Sequence, residues 1–541
     1  VPEDRRGLRA HVLVALIDTH PIENEREHIA AHLAVLAELD LTELDFGDTE
    51  LAYRFKHVIT QEVTYDLMPL AQRQPLHRAV AEWHEKAYQA DLAPHFALLA
   101  HHWERAEVAE RAASYYERAG QQALRAGAFK EAQLFFDKLM RLAQSGGLGR
   151  DAVRHALWEK GLGTAWYFLG DLKQSRVHIE NALVELDRRV PICTSQAQRA
   201  LLAAALVQLA HRILPERFLG RRIAEQMRRE EAVNCYTTLA QIYYLDGEPA
   251  PVLAYLTVRG LNVGEEAGPS PGLARILVMV AVIAGLMGRQ SWADWYARRA
   301  MAMAQQQSHY VAAAYVCHIQ ALLEAQRGNW LDAKASNLKT MALIQEIGDY
   351  NLEAEAWVVR ATVNLAEGNF LAAPNAWQNA RRLATRNGNQ QIICWSYLDE
   401  VDTAVGVGDA EAAQAALDAA LAIATPPTDG GTLIDKARAL AMTRLRQRRY
   451  QDAIAAADEV IAHVSRQPPT GYHWADYAAS AVEVYLRVLG TASAAEFDAR
   501  GDLIGKARRG VAIVRRLARI FWNVRPRAHL LKGLLEAREQ R

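Results

Sequence analysis

A chain of 541 residues is longer than one ordinary compact core, so several domains or a repeat array are expected. Apolar residues at 51% and charged residues at 23% give the balance of a folded, soluble protein, and 62 Lys+Arg against 63 Asp+Glu leave no chain-wide charge to steer it to nucleic acid or an anionic membrane. Cys193, Cys235, Cys317 and Cys394 are far apart and form no C-x-x-C, the longest apolar run (Ile276 to Met287) is too short for a bilayer, and no signal peptide is visible, so a cytoplasmic protein with no zinc site, disulfide framework or membrane span is expected.

In chain order, REHIAAHLAVLAELDLTEL predicts an amphipathic helix with Ile29, Leu33, Leu36 and Leu39 near one face. LDFGDTELAYRFKHV then predicts a turn and a strand, because Leu51, Tyr53 and Phe55 alternate with Ala52, Arg54 and Lys56. Helices followed by a strand pair is the order of a winged helix, here without any earlier helices. Thr60 is suited to cap the next helix with Glu62 in its first turn, and Pro75 to start the helix PLHRAVAEWHEKAY.

From about residue 95 a repeat emerges. RAGAFKEA, FLGDLKQS, LDGEPAPV, LMGRQSWA, QRGNWLDA, AEGNFLAA and GVGDAEAA centre on Gly127, Gly170, Gly247, Gly288, Gly328, Gly368 and Gly408, and RQRRYQDA has Arg448 in the glycine's place. The last four are spaced by 40 residues, while the interval from 170 to 247 leaves room for two degenerate units. Glycine suits the left-handed residue that ends a helix, and Asp171, Asn329, Asn369 and Asp409 after it suit the cap of the next. A bulky residue stands two places on (Phe129, Leu172, Trp330, Phe370, Tyr450) and a small one five places on (Ala132, Ser175, Ala333, Ala373, Ala413, Ala453), which lets paired helices approach closely. GPSPG at 268–272, PPTDGG at 426–431 and SRQPPTGYHW at 465–474 read as loops within the array.

This G-[DN]-[aromatic]-x-x-A column resembles a tetratricopeptide array with an extended unit like that of MalT-like regulators. The expected fold is an all-α, right-handed superhelical solenoid of helix pairs with a small winged-helix-like α+β portion in front. The expected limits are 1–58 for that portion, 59–98 for a helical connector, 99–490 for the array and 491–541 for basic capping helices. About nine to ten repeats are expected.

F-K-H-x-x-T-Q-E-V-x-Y (Phe55, Lys56, His57, Thr60, Gln61, Glu62, Val63, Tyr65) followed by L-H-R-x-V-A-E (Leu76, His77, Arg78, Val80, Ala81, Glu82) is similar to the junction behind the ATPase core of large bacterial signalling proteins. Those join a class III nucleotide cyclase or a kinase domain, a STAND/AAA-type ATPase and tetratricopeptide repeats. The resemblance implies that Arg54, Phe55, Lys56, His57, Gln61, Glu62, Tyr65 and His77 form an interdomain joint. It also implies an upstream nucleotide-driven domain as partner, besides a protein, peptide or small-molecule signal on the array. Two alternatives stay open: the effector-binding region of a MalT-like regulator, and a stand-alone repeat scaffold.

No catalytic, metal or cofactor residue is nominated. A P-loop is absent: GDLIGKAR at 501–508 has too few residues between its glycines and Ala507 where Ser or Thr should bind Mg²⁺. His57 and His77 lack a base-orienting partner, so packing roles are preferred to catalysis. His28 and His32 have the spacing of a zinc helix, but Ile29 replaces the general base and no third ligand follows. In the last segment Lys506, Arg508, Arg509, Arg515, Arg516 and Arg519 offer a patch for an anionic partner. The reading preferred is a capping helix with Val511, Val514, Leu517, Ala518 and Phe521 inward, without nucleic-acid binding. Most of the tryptophans Trp292, Trp295, Trp330, Trp357, Trp377 and Trp395 are expected in the core, and self-association is compatible with the long neutral surface.

Overall fold

A computed structural model describes residues 7–9, 28–46, 51–220, 225–247, 249–306, 309–423, 427, 429–466, 471–491 and 500–539. Packing divides the chain into two compact units, 1–123 with 131–150 and 124–130 with 151–541.

In the first unit, β1 (Gly7–Arg9), β2 (Thr42–Phe46) and β3 (Leu51–Phe55) form an antiparallel sheet in the order β1-β3-β2, with Gly7 opposite Arg54 and Thr42 opposite Phe55. Helix α1 (Ile29–Glu38) is shorter than its hydrophobic pattern predicts. Asp40 takes a left-handed φ of 60° and breaks it, so Leu39 is 62% exposed and the following residues enter β2. Helix α2 (Val58–Leu67) is capped by the His57 backbone, not by Thr60, whose carbonyl instead accepts from the Thr64 hydroxyl; Glu62 therefore lies beyond the first turn. Helix α3 (Leu70–Ala87) starts after Pro69, and Pro75 sits inside it, where it costs one backbone bond without ending the helix. Helices α4 (Phe96–Arg105), α5 (Ala109–Ala126) and α6 (Phe129–Gln144) follow.

The second unit continues with α7 (Ala152–Leu169), α8 (Leu172–Glu185), α9 (Thr194–Ile213), α10 (Pro215–Phe218), α11 (Gln226–Asp246), α12 (Ala250–Ala267), α13 (Pro271–Leu286), α14 (Gln290–Gln306), α15 (Tyr310–Arg327) and α16 (Trp330–Ile347). It closes with α17 (Tyr350–Ala366), α18 (Ala373–Asn387), α19 (Gln390–Val407), α20 (Ala410–Leu421), α21 (Gly430–Arg446), α22 (Tyr450–Arg466), α23 (His473–Val488), α24 (Arg500–Leu517) and α25 (Arg525–Glu539). These are antiparallel pairs, and the fold is a right-handed superhelical solenoid of tetratricopeptide-like pairs. The interval between Gly170 and Gly247 holds one irregular pair, α9 and the four-residue α10.

The column read from the sequence has a direct structural meaning. Gly127, Gly170, Gly247, Gly288, Gly328, Gly368 and Gly408 all take positive φ, and Arg448 adopts 60° in the same place. Gly348 and Gly388 do so as well, at the turns that join one pair to the next, so each of the helices α15 to α19 ends on a left-handed residue. Asp171 and Asp409 cap the following helices through backbone N–H groups. Asn329 does not: its amide donates to Glu324 instead. Asn369 accepts from the Ala372 N–H, and α18 starts only after this turn. Ala132, Ala333, Ala373, Ala413, Ala453 and Ser175 are fully buried, and the Ser175 hydroxyl donates to the Gly163 carbonyl at 2.7 Å across the α7–α8 crossing.

Apart from α9, the first helix of each pair is buried around most of its circumference, as in α13, α15, α21 and α23, whereas α14, α20 and α22 bury one alanine-rich face and α16 buries one face of Ala333, Asn337, Thr340 and Ile344. First helices therefore form an inner layer and second helices an outer one, except α12, which is itself buried around most of its circumference. The second unit also winds back on itself five or six pairs further along. A Cβ built on Gly431 would lie 3.6 Å from the Leu245 carbonyl oxygen, and one on Gly471 would lie 2.7 Å from the Tyr244 hydroxyl. In α24 and the turn after it, Val511, Val514, Leu517, Ala518 and Phe521 are buried as predicted.

Nothing lies within 4 Å of a Cβ at Gly408, so its substitution tests backbone strain alone. Gly408→Ala is expected to destabilise by about 1 kcal/mol and Arg448→Gly to stabilise by a smaller amount, read from urea unfolding.

Candidate functional site

The residues of the expected interdomain joint are distributed as follows. Arg54 and Phe55 lie in β3, and Lys56, just after it, pairs with Asp40. His57 and Glu62 are exposed and Gln61 is half-buried on α2. Tyr65 and His77 come together: the Tyr65 hydroxyl lies 2.8 Å from His77 Nε2, and His77 Nδ1 lies 2.8 Å from His102 Nδ1. Two facing imidazole nitrogens at that distance hold one proton between them. Burial, helped by His101 and nearby arginines, lowers His77 to about 4, and burial with His77 lowers His102 to about 3, so both rings are neutral at pH 7. Among the described residues no group of His, Cys, Asp and Glu has metal-holding geometry, His28 and His32 included.

The basic patch is split by its own packing. Lys506 pairs with Asp458 at 2.9 Å and Asp502 at 3.3 Å, and Arg508 with Glu539 at 2.5 Å. Arg509, Arg515 and Arg516 on α24, and Arg519 in the turn after it, are exposed. The tryptophans divide: Trp377 is fully buried and Trp330, Trp357 and Trp395 are half-buried, but Trp292 and Trp295 on α14 are 61% and 43% exposed, because α14 is an outer helix that buries only its alanine face.

A row of polar side chains that the sequence reading did not single out runs along the inner helices of the second unit. At one end, the Gln241 amide (α11) donates to the Tyr315 hydroxyl (α15) at 2.7 Å, and the Arg275 guanidinium (α13) lies 4.6 Å over the Tyr315 ring. His318 Nε2 (α15) is 3.4 Å from Glu355 (α17). Tyr167 (α7) feels Glu355, Tyr315 and Arg275 electrostatically, so the first helices of several pairs converge here. Two buried atoms lack a protein partner, Arg275 Nε and His318 Nδ1, although His318 is only 4% exposed. Burial together with the Asp349 charge raises the Glu355 carboxyl to about 7, against the pull of Arg275. Burial lowers His318 to about 4.

At the other end the row is acidic. Arg438 (α21), 2% exposed, donates to Asp435 at 2.6 Å, pairs with Asp402 and reaches Asp399 (α19) at 3.9 Å. Burial pushes the Asp399 carboxyl well up and Asp435 adds to this; Arg438 opposes it. Asp476 (α23), raised by burial to about 6, is tied to Arg527, which also holds Glu483 at 2.9 Å. The two ends differ: Arg438 and Arg527 have carboxylate partners, whereas Arg275 has no ion pair among the described residues. The sequence signal for Arg275 was available, since it is the one charge in the apolar helix PGLARILVMVAVIAGL.

Two grooves lie elsewhere, in seams beside the outer helices. One of 520 Å³ runs over α19 between α18 and α20, and one of 260 Å³ lies between α16 and α17. In the larger, Arg381 is neutralised by Glu400 at 2.7 Å and covers the Tyr397 ring, so it presents no free charge.

By architecture the chain is a tetratricopeptide-type repeat protein. No family model matches it, and neither does any curated protein. Solved structures similar to it include the human IFIT1 dimer with m7Gppp-AAAA, at 13% identity and TM-score 0.37 over 79% of this chain and 90% of that one. The Cut9–Hcn1 hetero-tetramer of the APC/C matches at 13% identity and TM-score 0.38 over 89% and 99% of the two chains. A Signal Transduction ATPase with Numerous Domains with a tetratricopeptide repeat sensor, from Pyrococcus horikoshii, matches at 12% identity and TM-score 0.34; the alignment covers 98% of this chain and 62% of that one. Among the described residues no helix is long and apolar enough to cross a membrane.

Glu355 gives the row a pH signature. Its folded pKa lies above the unfolded value, so the ionised, half-buried carboxylate weakens the fold as pH rises from about 4.5 to 7, with the full cost above that. Glu355→Gln is expected to be more stable than the wild type at pH 8, on the order of 2 kcal/mol, with the difference vanishing towards pH 4. Urea unfolding across that range measures it.

Proposed function

We propose that this chain is the non-catalytic recognition arm of a STAND-type signalling protein, and that its inner helices capture a ligand bearing an anionic group, a carboxylate in the simplest case. The observation that carries the capture is Arg275: a cation in the inner layer with its Nε–H unpartnered, beside an unpartnered His318 nitrogen and a Glu355 poised between its two charge states. A buried donor left unsatisfied costs free energy that a ligand oxygen recovers. A protonated Glu355 is a second donor to such an oxygen, so anion binding draws a proton onto it.

The link to an upstream nucleotide-driven domain rests on the residues from Phe55 to Glu82. In that arrangement, a ligand bound by several inner helices at once favours one winding of the array, and the joint passes that preference on. The intact mass of the native polypeptide tests this half: a mass near 60.2 kDa overturns it, and a much larger one directs the work to ATP turnover with and without the arm.

The capture is tested with acetate, succinate and citrate by thermal melting. At least one is expected to raise the melting temperature of the wild type, more at pH 6 than at pH 8, and to leave Arg275→Met unmoved. Equal responses in both proteins, or none in the wild type, overturn it.

A further inference from the structure

The inner helices hold a second unsatisfied atom, of the opposite kind to the Arg275 Nε–H. Gln391, in the first turn of α19, is 6% exposed. Its amide nitrogen donates to Asp429 at 2.9 Å and to the Thr432 hydroxyl at 2.7 Å, both at the start of α21. Its oxygen, Oε1, is buried without a partner. Chemistry fixes which way the amide points. A carboxylate only accepts, so the nitrogen is the end that faces Asp429, and the oxygen has nothing to accept from.

The surroundings hold that orientation. Asp429 Oδ1 accepts from the Thr432 backbone N–H at 2.9 Å and so caps α21. Trp395, one turn along α19, donates its indole N–H to the Thr432 hydroxyl at 3.0 Å. With its own N–H on a carboxylate, the Gln391 amide is polarised, which makes Oε1 a stronger acceptor.

The bare donor and the bare acceptor share a neighbour. The Tyr167 phenol on α7 feels Glu355 and Tyr315, and also both Asp429 and Arg275. One turn later α7 ends against α19: a Cβ built on Gly170 would lie 3.7 Å from the Gln391 backbone nitrogen.

We infer that the ligand of the inner helices is a carboxylic acid with a hydrogen-bond donor at its far end, an ω-amino or ω-hydroxy acid. Its carboxylate meets Arg275 and its N–H or O–H meets Gln391 Oε1. The inference rests on anion capture at Arg275 and adds the second end. A simple carboxylate leaves Gln391 unsatisfied. A dicarboxylate sets its second anion against Oε1 with the Asp429 carboxylate behind it. That carboxylate favours an ammonium over a hydroxyl.

Isothermal titration calorimetry on the full chain tests it with two sets of acids. One is butyrate, succinate and γ-aminobutyrate; the other is caproate, adipate, ε-hydroxycaproate and ε-aminocaproate. In at least one set the amino acid is expected to bind tighter than its parent acid by roughly tenfold, and tighter than the dicarboxylate. Gln391→Met should bring amino acid and parent acid to the same affinity. Asp429→Asn keeps the cap of α21 but presents a donor to Gln391, so that amide turns and offers its nitrogen to the ligand. The preference should then pass to the dicarboxylate, an inversion that a purely structural role would not produce. Arg275→Met should abolish binding of both. Equal affinities of amino and parent acids in the wild type, or a preference that survives both Gln391→Met and Asp429→Asn, overturn the inference and leave anion capture standing. No binding of any of these acids to the wild type overturns both.

Discussion

Everything in the array depends on one backbone constraint: a residue in the left-handed region at the end of a helix, followed five places on by a side chain small enough for two helices to touch. The first reverses the chain and the second sets the distance. Both hold at Gly328 with Ala333 and at Gly408 with Ala413, where the glycine takes positive φ and the alanine is fully buried. Where the chain departs from the rule, it does so locally. Arg448 accepts the strained φ without glycine, and between Gly170 and Gly247 the four-residue α10 follows α9.

This constraint explains what was legible in the sequence. The turn glycines, the buried alanines and the amphipathic last helices are local patterns, and local patterns determine helix pairs. The front of the chain was read less well because its signals conflict. The stretch after Glu38 keeps a helical hydrophobic period but is broken by Asp40, and Pro75 looks like a helix start although the preceding turn of α3 already exists. The inner polar row was invisible for a different reason. Arg275, His318 and Glu355 lie on separate helices tens of residues apart, and they meet only because the array winds. A lone charge in an apolar helix marked Arg275, yet nothing local says what faces it.

The two ends of that row show how context sets the role of a charge. Arg438 is buried among three aspartates and Arg527 between Asp476 and Glu483, which makes both of them structural cations. Arg275 sits beside tyrosine rings and a carboxyl that is only half-ionised near neutrality. The same residue type thus cross-braces neighbouring helices at one end of the array and stacks on a tyrosine ring without an ion-pair partner among the described residues at the other.

The return contacts at Gly431 and Gly471 give the array a mechanical character of its own. In an open solenoid each repeat answers only to its neighbours, and unfolding can begin at any weak link and stop there. Once windings touch, a repeat also leans on one five or six positions away, and loosening either loosens both. Such a coil resists compression, because its windings are already in contact, and yields to extension only when several contacts give way together. Force applied along its axis would be met by a threshold rather than by gradual stretching.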